Sequence, residues 1–401
     1  MRKQILITIG LIVLLFGFWV AGCLKDFSLY LPHEIPAFIV LGLIFIVAVV
    51  FGLKFVLARR ENGKLGWGWF VALWVLVAVL YVVVFPLAQK KPDRNDSYDA
   101  LLVSSTQLLH GHFPYYIRDF EGCPASPMPG ALMLALPFLI AGRESVQSLF
   151  WLAIFTWFSI RYFRFRATAF AFLLVTVIGT AHTLVNLVDG ADYPLTWMYI
   201  CVGVFLFFGA IEDASRWKFI ASGILLGVAF SSRPTYLLVL GPLLVAYLTQ
   251  RIGFVSALKR VALPFSVTIA VTAPFYLYDP PHFAPFHVTD HLAFLPQWLQ
   301  HPMFILLIAS ALVTACMGFF VRLTLPRFFL LAGLASALLL VTPALMMALW
   351  PASRNIEMLG YADAPGCFLS LWAFRVLEDQ FAVKSAISLS PQVGKDSLAA
   401  S

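Results

Sequence analysis

Carboxylates, histidines and arginines crowd one stretch of an otherwise apolar chain: KKPDRNDSYDALLVSSTQLLHGHFPYYIRDFEG, residues 90–122. It holds Asp93, Asp96, Asp99, Asp119 and Glu121, together with Arg94, Arg118, His110 and His112. A carboxylate at the boundary between water and an apolar phase can take a proton from an attacking hydroxyl as a general base. The same residues also support a plainer role. From Tyr98 to His110 apolar and small polar residues recur at helical spacing, and Gly111 ends the pattern. Asp96 then falls at or just before the helix N-terminus and Asp99 in its first turn, where a cap is worth about 0.5–2 kcal/mol. Cap and base both remain open for this pair.

Four further groups lie outside that stretch. Asp189 and Asp192 flank a DG pair in NLVDGADYP, where they serve either as turn residues or as ligand contacts. Arg233 in SSRPT falls between two apolar halves, 217–232 and 235–250, and Pro234 after it breaks the helix. A guanidinium at that depth needs a partner, either a ligand phosphate or a carboxylate of the protein. The segment YDPPHFAPFHVTDHLAFLPQW carries Asp279, His282, His287, Asp290 and His291, but their irregular spacing assigns no metal site. Arg354, Glu357 and Asp363 complete the charges on this face without a role.

The elements that position these groups are read from composition. Of 401 residues, 61% are apolar and 12% charged, where soluble domains carry about a quarter charged. Phe occurs 38 times and Trp 11 times, which suits helices in lipid with aromatic rings at the headgroups. The net charge of +7 would fit nucleic acid, but the basic residues sit in short clusters between apolar runs, so they read as topology. Five cysteines lack CxxC spacing; Cys123 and Cys367 are the external pair that an oxidising compartment would allow to bond.

A spanning helix needs roughly 17–25 apolar residues. Such runs occur near 5–23, 37–57, 68–87, 145–163, 168–187, 193–211, 217–232, 235–250, 258–277, 303–321, 328–350 and 360–375. The expected fold is therefore an all-α integral membrane bundle of about 12 helices, a polytopic domain over 1–378, followed by a polar, disordered cytoplasmic tail over 379–401. Alternate threading puts most Lys and Arg on the side of the N-terminus, so both termini are expected in the cytoplasm. The segment 127–141, PMPGALMLALPFLIA, is too short and proline-rich to span and is expected to lie in or dip into the outer face. The external loop over about 88–144 is then the largest part outside the membrane. No Walker A sequence, Rossmann glycine fingerprint or HExxH motif is present.

The order of these features resembles the GT-C superfamily of membrane glycosyltransferases, especially its GT87-like and polyprenyl-phosphate-mannose-dependent mannosyltransferase groups. The resemblance rests on NDSYDALLVSSTQLLHGHFPYY at 95–116, SPMPGALMLALPF at 126–138 and ASGILLGVAFSSRPTYLLVLGPLL at 221–244. It covers about the first 250 residues. Two features depart from the family's pattern: two further helices stand between the first helix and the catalytic loop, and Pro127-Met128-Pro129 replaces a Pro-Pro pair.

The resemblance implies transfer of a sugar, mannose or another hexose, from a polyprenyl-phosphate donor to the hydroxyl of a glycan or lipid acceptor. Transfer would occur at the external face with inversion, and the enzyme would sit in a bacterial inner membrane. It implies Asp96 as the base, with Asp99 the near alternative. It implies Arg233, Arg94, Tyr98, Tyr115, Asp189 and Asp192 around the donor phosphate. The lipid-linked sugar is the co-substrate; no divalent metal, other cofactor or nucleic acid is expected. The rival expectation is a transporter or lipid flippase that moves its substrate without chemistry. Transporters place ionisable groups at broken helices near the midplane.

Overall fold

Twenty-one residues without a charge, Gly68–Ala88, form the first described helix, α1. Phe70, Leu73 and Val77 make its buried stripe, while Val71, Val75, Leu76, Val79, Val82 and Val83 on its other faces are exposed. A helix that is apolar all round and buried along one stripe is built to face lipid on the rest. The computed structural model describes residues 65–90, 96–120, 122–213, 215–286, 292, 295–349 and 361–389. The expected spans at 5–23 and 37–57, Arg94, His287, His291, Arg354 and Glu357 lie outside the described residues.

Thirteen more helices follow among the described residues, which contain no strand. Short α2 (Asp96–Leu109) and α3 (Pro129–Ile140) precede α4 (Gln147–Tyr162), α5 (Arg166–Leu173) and α6 (Ala181–Asp189). Next come α7 (Tyr193–Glu212), α8 (Arg216–Phe230), α9 (Pro234–Ile252), α10 (Phe254–Tyr278) and α11 (Gln297–Cys316). The chain closes with α12 (Leu325–Ser336), α13 (Thr342–Leu349) and α14 (Asp363–Leu389). Two π-helical segments interrupt this order, Leu174–Gly179 after α5 and Ala337–Val341 between α12 and α13.

The protein has the helices of a multi-pass membrane protein, and among the described residues fewer of them are long enough to span than expected. Among the described residues six helices are long and apolar enough to cross: Gly68–Ala88, Tyr193–Glu212, Pro234–Ile252, Phe254–Tyr278, Gln297–Phe319 and Leu325–Met347. The count rises to 8 if Pro129–Ile140 with Glu144–Tyr162, bent by 112°, and Arg166–Gly179 with His182–Asp189, bent by 76°, each make one span. Ten of the twelve expected runs fall on described residues, and their number is corrected for physical reasons. The run at 217–232 forms a helix of 15 residues, about 22 Å at 1.5 Å per residue, short of a core about 30 Å thick. The run at 168–187 breaks at Thr180, whose backbone turns extended (φ −91°, ψ 98°). The run at 360–375 opens α14, which carries Arg375, Glu378 and Asp379.

α14 runs helical through Leu389, past the boundary at 378 expected between the membrane domain and the tail. Buried Glu378 accepts hydrogen bonds from the backbone N–H of Arg164 and Phe165 at 3.1 and 2.8 Å and from Arg375 Nη1 at 2.7 Å. That anchorage carries the helix past the point where the sequence turns polar. Cys367 is buried in the core and Cys123 is exposed, and no disulfide joins the two, so the external pairing does not form.

Small residues let the helices around α8 close up. A Cβ on Gly227 would lie 2.6 Å from Pro264 O of α10, and Thr268 Oγ1 donates to Gly227 O at 2.9 Å. Gly130, near the start of α3, sits closer still, with Val228 O of α8 at 2.1 Å from the Cβ position. Its N–H reaches Ser231 O and Oγ at 3.0 and 3.2 Å. Close backbone approach of this kind is how small residues serve helix packing in lipid. It fixes the proline-rich segment against the SSRP break.

Candidate functional site

The turn between α6 and α7 begins where Gly190 takes φ +80°, the left-handed conformation that ends a helix at little cost in glycine. A Cβ there would also meet Tyr98, Phe85 and Ser145 at 3.0–3.2 Å. The turn delivers Asp192 to Arg233. Arg233 Nη2 donates to Asp192 Oδ1 and Oδ2 at 3.0 and 2.8 Å, with side-chain exposures of 13% and 2%. Ser97, in the first turn of α2, donates its hydroxyl to Asp192 Oδ1 at 2.7 Å. Arg233 precedes Pro234 at the first position of α9, and its Cζ lies 5.5 Å from the centre of the Tyr193 ring. Three distant segments thus meet on one buried ion pair. Of the two partners the sequence left open for Arg233, the protein carboxylate is present.

A cavity of about 440 Å³ opens beside this pair. Its wall is apolar for most of its length, with Phe286, Phe304, Leu307, Ile308, Leu340 and Met347. Its polar end holds Arg233, Tyr193, Tyr361 and Asp363. The Tyr193 and Tyr361 rings stand at 88° with centres 5.1 Å apart. Asp363 begins α14, and its Oδ2 accepts Thr183 Oγ1 at 3.0 Å with His182 Nε2 at 3.9 Å. His182 and Thr183 stand just past the Thr180 break, so the discontinuity of α5 and α6 brings them to the Asp363 carboxylate.

Asp96, Asp99, Asp189, Asp192, Tyr98 and Tyr115 do not line this cavity. Asp96 is half-buried at the start of α2, its Oδ1 accepting Ser97 N–H at 2.8 Å. Asp99 is buried, and its Oδ2 accepts Phe120 N–H at 2.9 Å, which ties the following loop back to the helix. Asp189 is buried in the turn. Tyr98 packs edge-on against Phe85 at 5.4 Å. Tyr115 donates to Pro127 O at 3.0 Å among Phe113, Phe275 and Phe283, and burial pushes its phenol well above the usual range. The contacts of Asp99 and Tyr115 tie the loop to the helices around it.

At the protein surface Asp279 Oδ2 accepts Tyr116 Oη at 2.8 Å and pairs with His282 Nδ1 at 2.9 Å. Those hydrogen bonds hold the Asp279 carboxyl below its usual range. Among the described residues no group of three His, Cys, Asp or Glu is placed to hold a metal ion.

No family model, curated protein or solved structure matches this chain. The chemistry of the site therefore rests on its own geometry. Sequence reading reached Arg233 and Asp192 but gave Asp363 no role and passed over Tyr193, Tyr361 and His182. The available signal was YADAP at 361–365, an aromatic and a carboxylate at the head of an apolar run.

Proposed function

We propose that this protein is a membrane glycosyltransferase that takes a sugar from a polyprenyl-phosphate donor and passes it to an acceptor hydroxyl. The observation that carries this reading is the apolar cavity of about 440 Å³ with a guanidinium at its polar end. Isoprenoid chain and phosphate are the two halves of such a donor. Arg233 spends the hydrogens of one terminal nitrogen on Asp192, which leaves Nε and Nη1 to meet a phosphate. The leaving group, a lipid phosphate, is already a stable anion and needs a cation rather than an acid. In a water-poor wall that cation acts at low dielectric. The base for the acceptor hydroxyl comes from the carboxylates around this end of the bundle, with Asp96 the one named by resemblance to GT-C mannosyltransferases. The bacterial inner membrane, with this end external, is part of the same proposal.

A second reading is transport of a lipid-linked or anionic substrate. It is favoured by the 76° break between α5 and α6, which brings Thr183 and His182 to Asp363 beside the cavity, since transporters build sites at discontinuous helices. The deciding experiment offers undecaprenyl-phosphate mannose and glucose to the purified protein in nanodiscs with a membrane glycan and lipid fraction. Release of undecaprenyl phosphate supports the transferase. Uptake into sealed vesicles without release favours the transporter.

A further inference from the structure

The carboxylates near the ion pair differ in what they can reach. Asp192 is spent on Arg233 and Ser97, and Asp99 is turned to the Phe120 N–H. Asp189 and Asp96 do not line the cavity, whereas Asp363 does. Resting on the transferase reading, we propose that Asp363, rather than Asp96, is the carboxylate that takes the proton of the attacking hydroxyl.

Three observations converge on it. Asp363 shares one cavity with Arg233. Its carboxylate is held at 6% side-chain exposure by Thr183 Oγ1 at 3.0 Å, with the His182 ring beyond at 3.9 Å. That imidazole is itself fixed by Asn186, whose Nδ2 lies 3.0 Å from His182 Nε2 and 2.8 Å from His182 O. A base held this way loses little freedom on reaching the reactive geometry. Between the two charged ends stand Tyr193 and Tyr361, with Arg233 against the first ring and Tyr361 two residues before Asp363. A phosphate on Arg233 would place the sugar it carries along this aromatic pair, whose faces suit the C–H surface of a pyranose. The anomeric carbon then lies between the leaving phosphate and the carboxylate.

The step balances without a further reagent. The acceptor oxygen forms a bond to the anomeric carbon as the bond from that carbon to the phosphate oxygen breaks. The electron pair of the broken bond leaves with the lipid phosphate beside Arg233. The hydroxyl proton passes to a carboxylate oxygen of Asp363 and from there to water. Attack from the side opposite the phosphate inverts the anomeric centre.

The test uses the full chain in nanodiscs and compares wild type with Asp363→Asn, Asp363→Glu, Thr183→Val and Asp96→Asn. Transfer from undecaprenyl-phosphate mannose or glucose is followed by release of undecaprenyl phosphate, and binding of undecaprenyl phosphate is measured separately. Asp363→Asn is expected to lower transfer about 10²–10⁴-fold while the binding constant stays within about twofold. Asp363→Glu recovers part of the rate and Thr183→Val loses less than Asp363→Asn. Asp96→Asn loses less transfer than Asp363→Asn.

Wild-type transfer with Asp363→Asn still within about threefold of it overturns the assignment and leaves the transferase reading intact. Loss of lipid-phosphate binding or of folding in both Asp363 variants overturns it as well, because the residue is then structural. Absence of transfer by wild type from either donor overturns the proposal together with the reading beneath it.

Discussion

Ser97 donates its hydroxyl hydrogen to Asp192 across 95 positions of sequence, and the same carboxylate receives Arg233. The contact joins the head of α2 to the break between α8 and α9, so one carboxylate orients three segments. A buried charge pair adds little net stability over apolar replacements, but removing one partner strands the other. Asp192→Ala is therefore expected to destabilise the protein by about 3–5 kcal/mol. Arg233→Ala in addition should give back part of that loss, since no guanidinium is then stranded. Unfolding followed by tryptophan fluorescence in detergent checks both; an additive double variant would contradict the pairing.

Arg233→Ala and Arg233→Lys separate charge from shape at the proposed phosphate site. Ammonium keeps the charge but loses the planar fork. Binding of undecaprenyl phosphate should weaken about 10–100-fold with Ala, from a charge-assisted bond worth about 1.5–3 kcal/mol, and by less with Lys. An unchanged binding constant in the alanine variant removes Arg233 from the donor site.

Ala344 is 2% exposed and lines the apolar wall. Ala344→Phe fills part of the cavity from within, so a long isoprenoid should bind at least about tenfold more weakly, in line with 1–3 kcal/mol for overpacking. A water-soluble short-chain phosphate should bind as before. Equal losses for both would show that the substitution disturbs the phosphate end rather than the tail.

Gly130→Ala probes the seat of the proline-rich segment. Its new methyl would meet the Val228 carbonyl at 2.1 Å, backbone against side chain, so α3 must move away from α8. The expected cost is about 1–3 kcal/mol. Hydrogen exchange at Gly130 and Ser231 should rise with it, and unchanged protection would argue against this contact.

Acid should loosen the outer loops first. The Asp279 carboxyl is held low by His282 and Tyr116, so its contribution is complete above the ordinary carboxylate range near pH 4. It is lost as pH falls through the lowered value. Limited proteolysis between Tyr116 and His282 should therefore accelerate only below about pH 4 in wild type, and Asp279→Asn should show the fast cleavage at pH 6. Equal resistance of that variant at pH 6 would show that the contact does not hold the loop.

Membrane character was legible from apolar runs because each helix states its own hydropathy. The number of spans was not, since a run of apolar residues does not reveal a break. The turn of Thr180 and the 15-residue length of α8 depend on where helices start and stop against neighbours. At the site, Arg233 announced itself as a charge among apolar residues that needed a partner. Which partner it takes was hidden, because Asp192 lies 41 residues away and looked like a turn residue. Asp363 was illegible for the same reason: its companions, Thr183 and His182, are about 180 positions earlier. Local spacing also favoured the dense loop at 90–122, whose buried Asp99 and Tyr115 turn out to hold backbone.

The π segment Ala337–Val341 leads from α12 into α13, and Leu339, Leu340, Pro343, Ala344 and Met347 all face the cavity. A π turn accommodates one more residue than the α turns around it, and one residue on an α-helix subtends about 100°. Deleting a single residue there would restore the α winding and rotate α13 by about that angle, carrying Ala344 and Met347 off the wall. Loss of undecaprenyl-phosphate binding in such a deletion, with the bundle still folded, would reveal it. Insertions and deletions in this helix are thus edits of gauge as well as length, and the bore available to a lipid tail is written in residue number as much as in side-chain size.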